Sequence, residues 1–151
     1  MKKVIYFVSE DWVFLNHRLE LAKKIQKKGY KVTLVTNVTH YKNLIERKKI
    51  EVIPIKIERG SLNIRKSIRT IYKLTKIFKK VGPDVVHNFG LRQIVHGSIS
   101  AKFAGVNKAF NSIIGLGSAF ISGNFFLKFF IINLLRIALF FKSSRTLVQN
   151  K

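Results

Sequence analysis

Residues 3–36, KVIYFVSEDWVFLNHRLELAKKIQKKGYKVTLVT, decide the fold class of this chain. A β-branched and aromatic run over Lys3–Val8 predicts a strand, and apolar residues at helical spacing predict a helix over Leu15–Lys28. Gly29 is placed to end that helix, and Lys31–Thr36 predicts a second strand. The stretch therefore predicts a strand–helix–strand unit, in which the two strands are parallel.

The rest of the chain continues this alternation. The further predicted strands are Glu51–Ile55, Asp84–His87, Lys108–Ser112 and Arg145–Val148, and the further predicted helices are Tyr41–Lys48, Ile64–Val81, Leu91–Ala104 and Phe125–Phe141. We therefore expect a single domain over residues 1–151 with an α/β fold, a Rossmann-like, doubly wound parallel sheet of about six strands. Ligands of such sheets bind at the carboxyl ends of the strands.

The charge of the chain is strongly positive and unevenly distributed. Its 151 residues include 29 Lys and Arg against 7 Asp and Glu, a formal net charge of +22, and the last acidic residue is Asp84. This balance predicts an anionic partner: nucleic acid, the anionic face of a membrane, or a phosphate-bearing substrate. Composition alone does not choose among the three.

Composition also limits the class of protein. With 47% hydrophobic residues the chain can bury a core, and the absence of cysteine excludes disulfides and thiolate metal sites. The apolar start of the chain is too short for a signal peptide, and polar or charged residues interrupt the later apolar runs. We therefore expect a cytoplasmic protein without a transmembrane helix.

The first group of candidate functional residues lies in Ser9–Arg18, which leaves the first strand and enters the first helix. This segment has no glycine-rich dinucleotide-binding loop. It offers carboxylates, an aromatic ring and hydrogen-bond donors, a mixture that suits a sugar, on Glu10, Asp11, Trp12, Asn16, His17 and Arg18. In the alternative interpretation, Asp11 or Asn16 caps the helix, and His17 and Arg18 are surface residues.

Two further segments follow later strands. His87 ends a predicted strand and precedes Asn88 and Gly90, a position from which it could orient or deprotonate a hydroxyl; alternatively it is a packing residue. In Ile113–Ser118, two glycines flank Leu116 and allow a close backbone approach in a loop that lines a cleft, or form an ordinary turn.

The predicted helix Ile64–Val81 separates apolar from basic residues. Its apolar stripe comprises Ile64, Ile68, Ile71, Leu74, Phe78 and Val81. The other side carries Lys and Arg without any acidic residue, which favours an anionic surface over the alternative of a simply solvated face.

Taken together, these segments resemble the N-terminal domain of family 4 glycosyltransferases, retaining enzymes of the GT-B class from bacterial capsule, O-antigen and exopolysaccharide assembly. Residues 9–36 resemble the family's aromatic loop, His-Arg helix start and Gly-Tyr-x-Val strand. Residues 83–106, PDVVHNFGLRQIVHGSISAKFAGV, are similar to its Pro-Asp-Val-Val-His strand and small-residue helix. IIGLGSAF at 113–120 and TLVQN at 146–150 resemble its Gly-Leu-Gly loop and last strand.

The resemblance implies an acceptor-binding domain of an enzyme that transfers sugar from a nucleotide-sugar in polysaccharide or lipid-linked glycan biosynthesis. The implied acceptor-binding residues are Glu10, Asp11, Trp12, His17, Arg18, Asn88, Arg92, Gly115, Leu116 and Gly117. His87 is the candidate catalytic residue, although Phe89 stands where many members carry a second His. Some members carry Lys-Pro in place of Arg92-Gln93. No metal or resident cofactor is implied, and the nucleotide-sugar is a co-substrate of a C-terminal donor domain.

The implied partners are a lipid-linked or glycan acceptor, an anionic membrane surface and a separate donor-domain chain. We expect a peripheral protein at the inner face of the cell membrane. Because the chain ends at Lys151, before a donor domain, we expect an incomplete N-terminal half that is inactive alone. Two alternatives stay open: an inactive remnant of a truncated gene, and a basic nucleic-acid-binding module, which is disfavoured because no recognised motif occurs.

Overall fold

Strands and helices alternate along the described chain, which comprises residues 1–57, 64–114, 132, 136 and 144–149 of a computed structural model. The strands are β1 (Lys3–Glu10), β2 (Lys31–Asn37), β3 (Glu51–Pro54), β4 (Val85–Phe89), β5 (Lys108–Ile114) and β6 (Ser144–Gln149). The helices are α1 (Asp11–His17), α2 (Leu19–Lys27), α3 (Lys42–Glu46), α4 (Ile64–Val81) and α5 (Leu91–Phe103). The predicted helix Phe125–Phe141 lies outside the described residues, apart from helical positions 132 and 136.

The six strands form one sheet in the order β3-β2-β1-β4-β5-β6. Every neighbouring pair is parallel. This confirms the predicted α/β, Rossmann-like, doubly wound sheet. The strand order reverses between β1 and β4, and in such sheets the crevice at the reversal is the usual place for a ligand.

Both faces of the sheet are buried, which explains the unbroken apolar run of β1. Val4, Tyr6 and Val8 pack with Phe14 and Ala22 on the side of α1, α2 and α3. On the opposite face, which α4 and α5 cover, lies a second cluster containing Ile5, Phe7, Leu74, Phe78 and Ala101. A strand that is buried on both faces reads as a continuous hydrophobic run because neither set of alternating side chains meets water.

The predicted first helix, Leu15–Lys28, differs from the observed structure in two ways. Helix α1 begins at Asp11, four residues earlier, and Arg18 interrupts the helix with a φ of −131° before α2 begins. The early start is explained by the Asp11 carboxylate, which accepts a hydrogen bond from the backbone N–H of Trp12. Apolar spacing alone did not reveal the interruption, because the spacing continues through it.

The apolar stripe predicted for α4 is only half buried. Leu74 and Phe78 lie in the core, whereas Ile64 and Ile68 are 65% and 60% exposed. The 18-residue helix spans about 27 Å, and the five-residue β4 spans about 17 Å. The end of α4 is held at the start of β1, where Lys3 Nζ donates to the Val81 carbonyl. The first turns of α4 therefore extend beyond the carboxyl end of β4.

Within the described residues, none of the helices combines the length and the apolar character needed to cross a membrane.

Candidate functional site

The carboxyl edge of the sheet at the β1–β4 reversal collects most of the described candidate residues. Strand β1 ends at Glu10 and runs directly into α1, while His87, Asn88 and Phe89 form the end of β4. The two strands are adjacent, with Tyr6 opposite His87 and Phe7 opposite Asn88. Residues far apart in sequence are thus brought to one end of the sheet, as predicted from the alternation of strands and helices.

Trp12, Asn16 and His17 are the exposed members among the candidate residues of the first segment. The Trp12 side chain is 39% exposed, and its indole Nε1 donates a hydrogen bond to the Glu10 carboxylate. His17, in the last turn of α1, is also exposed. The start of α1 thus presents an aromatic ring beside a carboxylate, and its last turn presents an imidazole. These groups can contact the apolar face and the hydroxyls of a sugar.

Asp11 has a different position from the one predicted for an acceptor-binding residue. Its side chain is 0% exposed. Its carboxylate accepts hydrogen bonds from Thr39 N at 2.9 Å, Thr39 Oγ1 at 2.6 Å and Tyr41 N at 2.9 Å. The carboxylate therefore fastens the β2–α3 loop to the start of α1. In this conformation Asp11 supports the site and offers no surface to an acceptor.

The hydrogen bonds at Asp11 also determine its charge state. Burial alone would raise the pKa of the Asp11 carboxyl, but the hydrogen bonds from Thr39, Tyr41 and Trp12 outweigh it, so that the pKa lies below its ordinary value. The ionised carboxylate can accept all four hydrogen bonds at once. Thr39 and Tyr41 carried no signal in the sequence, because their contact with Asp11 spans about thirty residues.

Arg18 joins the helix break to β4. Its guanidinium carbon lies 4.2 Å from the centroid of the Phe89 ring, a cation–π contact. The Phe89 ring also lies 4.1 Å from the His87 ring and stacks on Tyr6 with the centroids 5.7 Å apart. The half-buried Arg18 is thereby brought to the same group of rings as the candidate catalytic residue His87.

His87 is half-buried and makes a specific contact. Its Nε2 lies 2.9 Å from the Ser112 hydroxyl on β5. Burial, and to a smaller extent the positive charge of Arg18, lowers the pKa of His87 to about 4. At neutral pH the imidazole is therefore uncharged and a poor proton acceptor, with one nitrogen engaged by Ser112. This arrangement suits a residue that orients a neighbour better than one that removes a proton.

Asn88 lies on the opposite face of β4 and is fully buried. Its Nδ2 donates to Asn111 Oδ1 at 2.9 Å and approaches Ser98 Oγ at 3.4 Å. Gly97 on α5 is needed for this packing, because a Cβ there would lie 1.9 Å from Asn88 Oδ1. Like Asp11, Asn88 was predicted to bind an acceptor, and the structure instead places it in a buried polar network that fixes α5 against β4 and β5.

Arg92 contributes to a separate concavity, which we call the basic cleft. The cleft lies between the end of β3, the first turns of α4 and the start of α5, and its volume is about 250 Å³. Its cationic lining residues are Lys56, Lys66, Arg69, Lys73 and Arg92. Ser67, Thr70 and His96 complete the polar lining. Apart from Arg92, sequence reasoning did not select these residues as a site, although the basic face of α4 indicated some of them.

Gly115, Leu116 and Gly117 lie outside the described residues, so their role stays a prediction. Among the residues that the structure describes, no three His, Asp or Glu side chains are grouped closely enough to hold a metal ion.

Comparison with known proteins places the chain in a wider context. A sequence model of the family described as glycosyl transferase 4-like matches residues 3–150. No curated protein matches the chain significantly.

Solved structures share the fold at low sequence identity. MurG of Acinetobacter baumannii has a TM-score of 0.66 at 18% identity and is matched over 99% of this chain and 45% of its own. A glycosyltransferase of Rickettsia africae has a TM-score of 0.62 at 14% identity, over 80% of this chain and 32% of its own. A UDP-GlcNAc 2-epimerase of Methanocaldococcus jannaschii has a TM-score of 0.60 at 14% identity, over 99% and 40%.

These structural matches have two consequences. The chain spans less than half the length of each of these three proteins. Because the three include an epimerase beside a glycosyltransferase, the shared fold does not by itself choose a reaction.

Proposed function

The chain belongs to the glycosyl transferase 4-like family, and from this premise we propose that it is the acceptor-binding part of an enzyme that transfers sugar from a nucleotide-sugar to a glycan or lipid-linked acceptor. The observation that carries the proposal is the surface at the carboxyl end of β1. There Trp12 is exposed and its indole donates to the Glu10 carboxylate, at the strand-order reversal where ligands of such sheets bind, and His17 is exposed in the last turn of α1.

In this proposal the domain positions an acceptor hydroxyl and performs little proton chemistry. Trp12 offers a flat apolar wall for a sugar ring, while Glu10 and His17 offer hydrogen bonds to hydroxyls. Arg18 and His87 act one step behind this surface, since both contact Phe89. Holding the hydroxyl in a reactive orientation is itself a large contribution to rate.

The donor nucleotide-sugar is proposed to bind a second unit. The family match and the coverage of the solved structures support this, because the chain corresponds to 32–45% of the three proteins described above. That unit would face the carboxyl edge of the sheet, where the acceptor surface lies. We therefore expect transfer to require both units.

We further propose that α4 meets the inner face of the cell membrane. Ile64, Ile68 and Tyr72 follow one another at four-residue spacing and are 65%, 60% and 59% exposed. Lys76 Nζ lies 4.6 Å from the Tyr72 ring centroid, so that a cation flanks this apolar row. An exposed apolar row with cations beside it is typical of helices that lie in the interface of an anionic membrane. A membrane position would bring the domain to lipid-linked acceptors.

Sugar transfer tests the proposed function directly. Membranes from cells that express this chain with and without the product of its downstream reading frame are incubated with a panel of labelled nucleotide-sugars. We expect labelled lipid or glycan only when both products are present, and less of it with Trp12→Ala or His17→Ala. Lys24→Ala, on the exposed face of α2, is the matched control. Absence of transfer in every combination would contradict the proposal and favour an inactive remnant.

A further inference from the structure

The basic cleft is distinct from the acceptor surface and carries an unusual concentration of charge. Five cationic side chains from three segments line a volume of about 250 Å³, and no Asp or Glu occurs among its described lining residues. Like charges in one concavity repel each other, and the potential they create is relieved by a bound anion. The volume suits a small head group better than an entire lipid or oligosaccharide.

The kinds of donor in the cleft match phosphate oxygens. Arg69 and Arg92 carry guanidinium groups, whose forked N–H groups fit two oxygens of one phosphate. Lys56, Lys66 and Lys73 add ammonium groups, and the Ser67 side chain adds a hydroxyl from α4. The hydroxyl of Thr70, which also lines the cleft, donates to the Lys66 carbonyl. The cations come from the segment that follows β3, from α4 and from α5, so they line the volume from three parts of the chain.

His96 supplies a second, independent observation. The residue lines the cleft but is only 7% exposed, and its Nδ1 has no hydrogen-bond partner among the residues described. Buried polar atoms in native proteins are nearly always hydrogen-bonded. Burial, and to a smaller extent the charge of Arg92, lowers the pKa of His96 to about 4, so the ring is neutral at pH 7. A neutral imidazole can still donate one hydrogen bond to an anion.

We propose that the basic cleft is a phosphate-binding site whose ligand carries a diphosphate group. Arg69 and Arg92 bind the phosphate oxygens, the three lysines neutralise the remaining charge, and Ser67 and His96 supply neutral donors. The diphosphate belongs either to a soluble compound or to a lipid head group at the membrane on which α4 is proposed to lie. The site is inferred from the cleft itself and does not depend on sugar transfer.

Calorimetric titration with inorganic phosphate and inorganic pyrophosphate tests the site. We expect saturable binding, tighter for pyrophosphate, and a loss of about tenfold or more in the double variant Arg69→Gln, Lys73→Gln. The double variant Lys24→Gln, Lys79→Gln removes the same charge outside the cleft and should bind almost as wild type does. Equal losses in the two variants would indicate only diffuse attraction and would overturn the proposal. Absence of binding by the wild type would overturn it as well.

Vesicles identify the source of the diphosphate. Phosphatidylcholine vesicles with and without a prenyl diphosphate are sedimented with the chain, in the presence or absence of free pyrophosphate. Recruitment that requires the prenyl diphosphate and is competed by pyrophosphate supports the site with a lipid ligand. Calorimetric binding of pyrophosphate without recruitment supports the site with a soluble ligand. Tighter binding of a short RNA than of pyrophosphate, lost equally in both double variants, would overturn it.

The two proposals fail separately. If the chain binds pyrophosphate but no sugar transfer occurs, the phosphate site in the basic cleft is supported and the proposed transferase function is contradicted. Sugar transfer by a chain that does not bind pyrophosphate would do the reverse.

Discussion

The guanidinium of Arg18 lies over the ring of Phe89, 4.2 Å from its centroid, and the same ring lies 4.1 Å from that of His87. Phe89 stands where the resembled family often has a second His. Here an aromatic ring at this position holds a cation beside a neutral imidazole, which links the break between α1 and α2 to the end of β4.

This relationship predicts the titration of His87. Replacing Arg18 by Met removes a positive charge but keeps much of the side-chain length, so the pKa of His87 should rise from about 4. It should stay below 6.5, because burial is the larger cause of the shift. NMR titration of the imidazole signals measures the pKa of His87 in the wild type and in the variant. An unchanged pKa in Arg18→Met, with Lys24→Met as the control, would show that Arg18 does not act on His87.

Acid should destabilise the fold before most carboxylates titrate. The pKa values of His87 and His96 are about 4 in the folded chain, against 6.5 for a free imidazole. Between these values the unfolded chain binds more protons, so the free energy of unfolding falls as the pH falls from 6.5 towards 4. Each unit of pKa difference corresponds to about 1.4 kcal/mol for a buried group.

Urea unfolding over this pH range measures the slope. The lowered pKa of Asp11 acts at a lower pH, because its stabilisation is lost only below its unfolded value of 3.8. His96→Asn should flatten the curve between pH 6.5 and 4. A wild-type free energy of unfolding that stays constant over that interval would contradict the assigned imidazole burial.

Asp11→Asn should destabilise the fold, although the two side chains are almost the same size. An amide has one oxygen in place of two, so at least one donor among Thr39 and Tyr41 loses its acceptor and faces an NH₂ group. The loss should be about 1–3 kcal/mol in the free energy of unfolding. Hydrogen exchange at the amides of Thr39 and Tyr41 should accelerate selectively. The control is Glu46→Gln, because Glu46 is exposed on α3. If both changes have equally small effects, Asp11 does not hold the β2–α3 loop to the start of α1.

Membrane attachment should depend on the exposed row of α4. The triple variant Ile64→Ser, Ile68→Ser, Tyr72→Ser should float with anionic vesicles several-fold less than wild type, because about 0.8 kcal/mol is lost for each CH₂ no longer inserted. Its thermal unfolding should be almost unchanged, since the three side chains are exposed.

A control for this variant exists elsewhere in the chain. Leu21 and Leu44 are also exposed, at 39% and 44%, and lie on α2 and α3. If the double variant Leu21→Ser, Leu44→Ser reduces flotation as strongly as the triple variant does, membrane contact depends on general surface hydrophobicity and not on the exposed row of α4.

The sequence was sufficient for the fold class because local periodicity reports the order of strands and helices. The parallel pairing followed from the alternation of strands and helices, and the parallel pairing of β6 with β5 agrees with it. The interruption at Arg18 was missed because the contact that accompanies it, with Phe89, is distant in sequence. Periodicity likewise describes a helix face without saying how far the sheet beneath it extends, so the exposure of Ile64 and Ile68 was not foreseen.

The candidate site was predictable in position but less so in the role of each residue. The carboxyl ends of the strands predicted the position of the site, and Trp12 is exposed next to the end of β1. Asp11 and Asn88 have structural roles because they are buried and form hydrogen bonds with residues distant in sequence. Residue type alone reveals neither their burial nor these hydrogen bonds. The basic cleft requires β3, α4 and α5 to meet, which only the tertiary structure provides.

The emission of Trp12, the one tryptophan of the chain, tests the acceptor surface most directly. The chain is titrated with short-chain prenyl diphosphates that carry different single sugars, while calorimetry follows binding in parallel. We predict a saturable change in Trp12 emission for at least one of them, weakened in His17→Ala and retained in Lys24→Ala. Calorimetric binding of these compounds without any change at Trp12 would contradict an acceptor surface at the carboxyl end of β1.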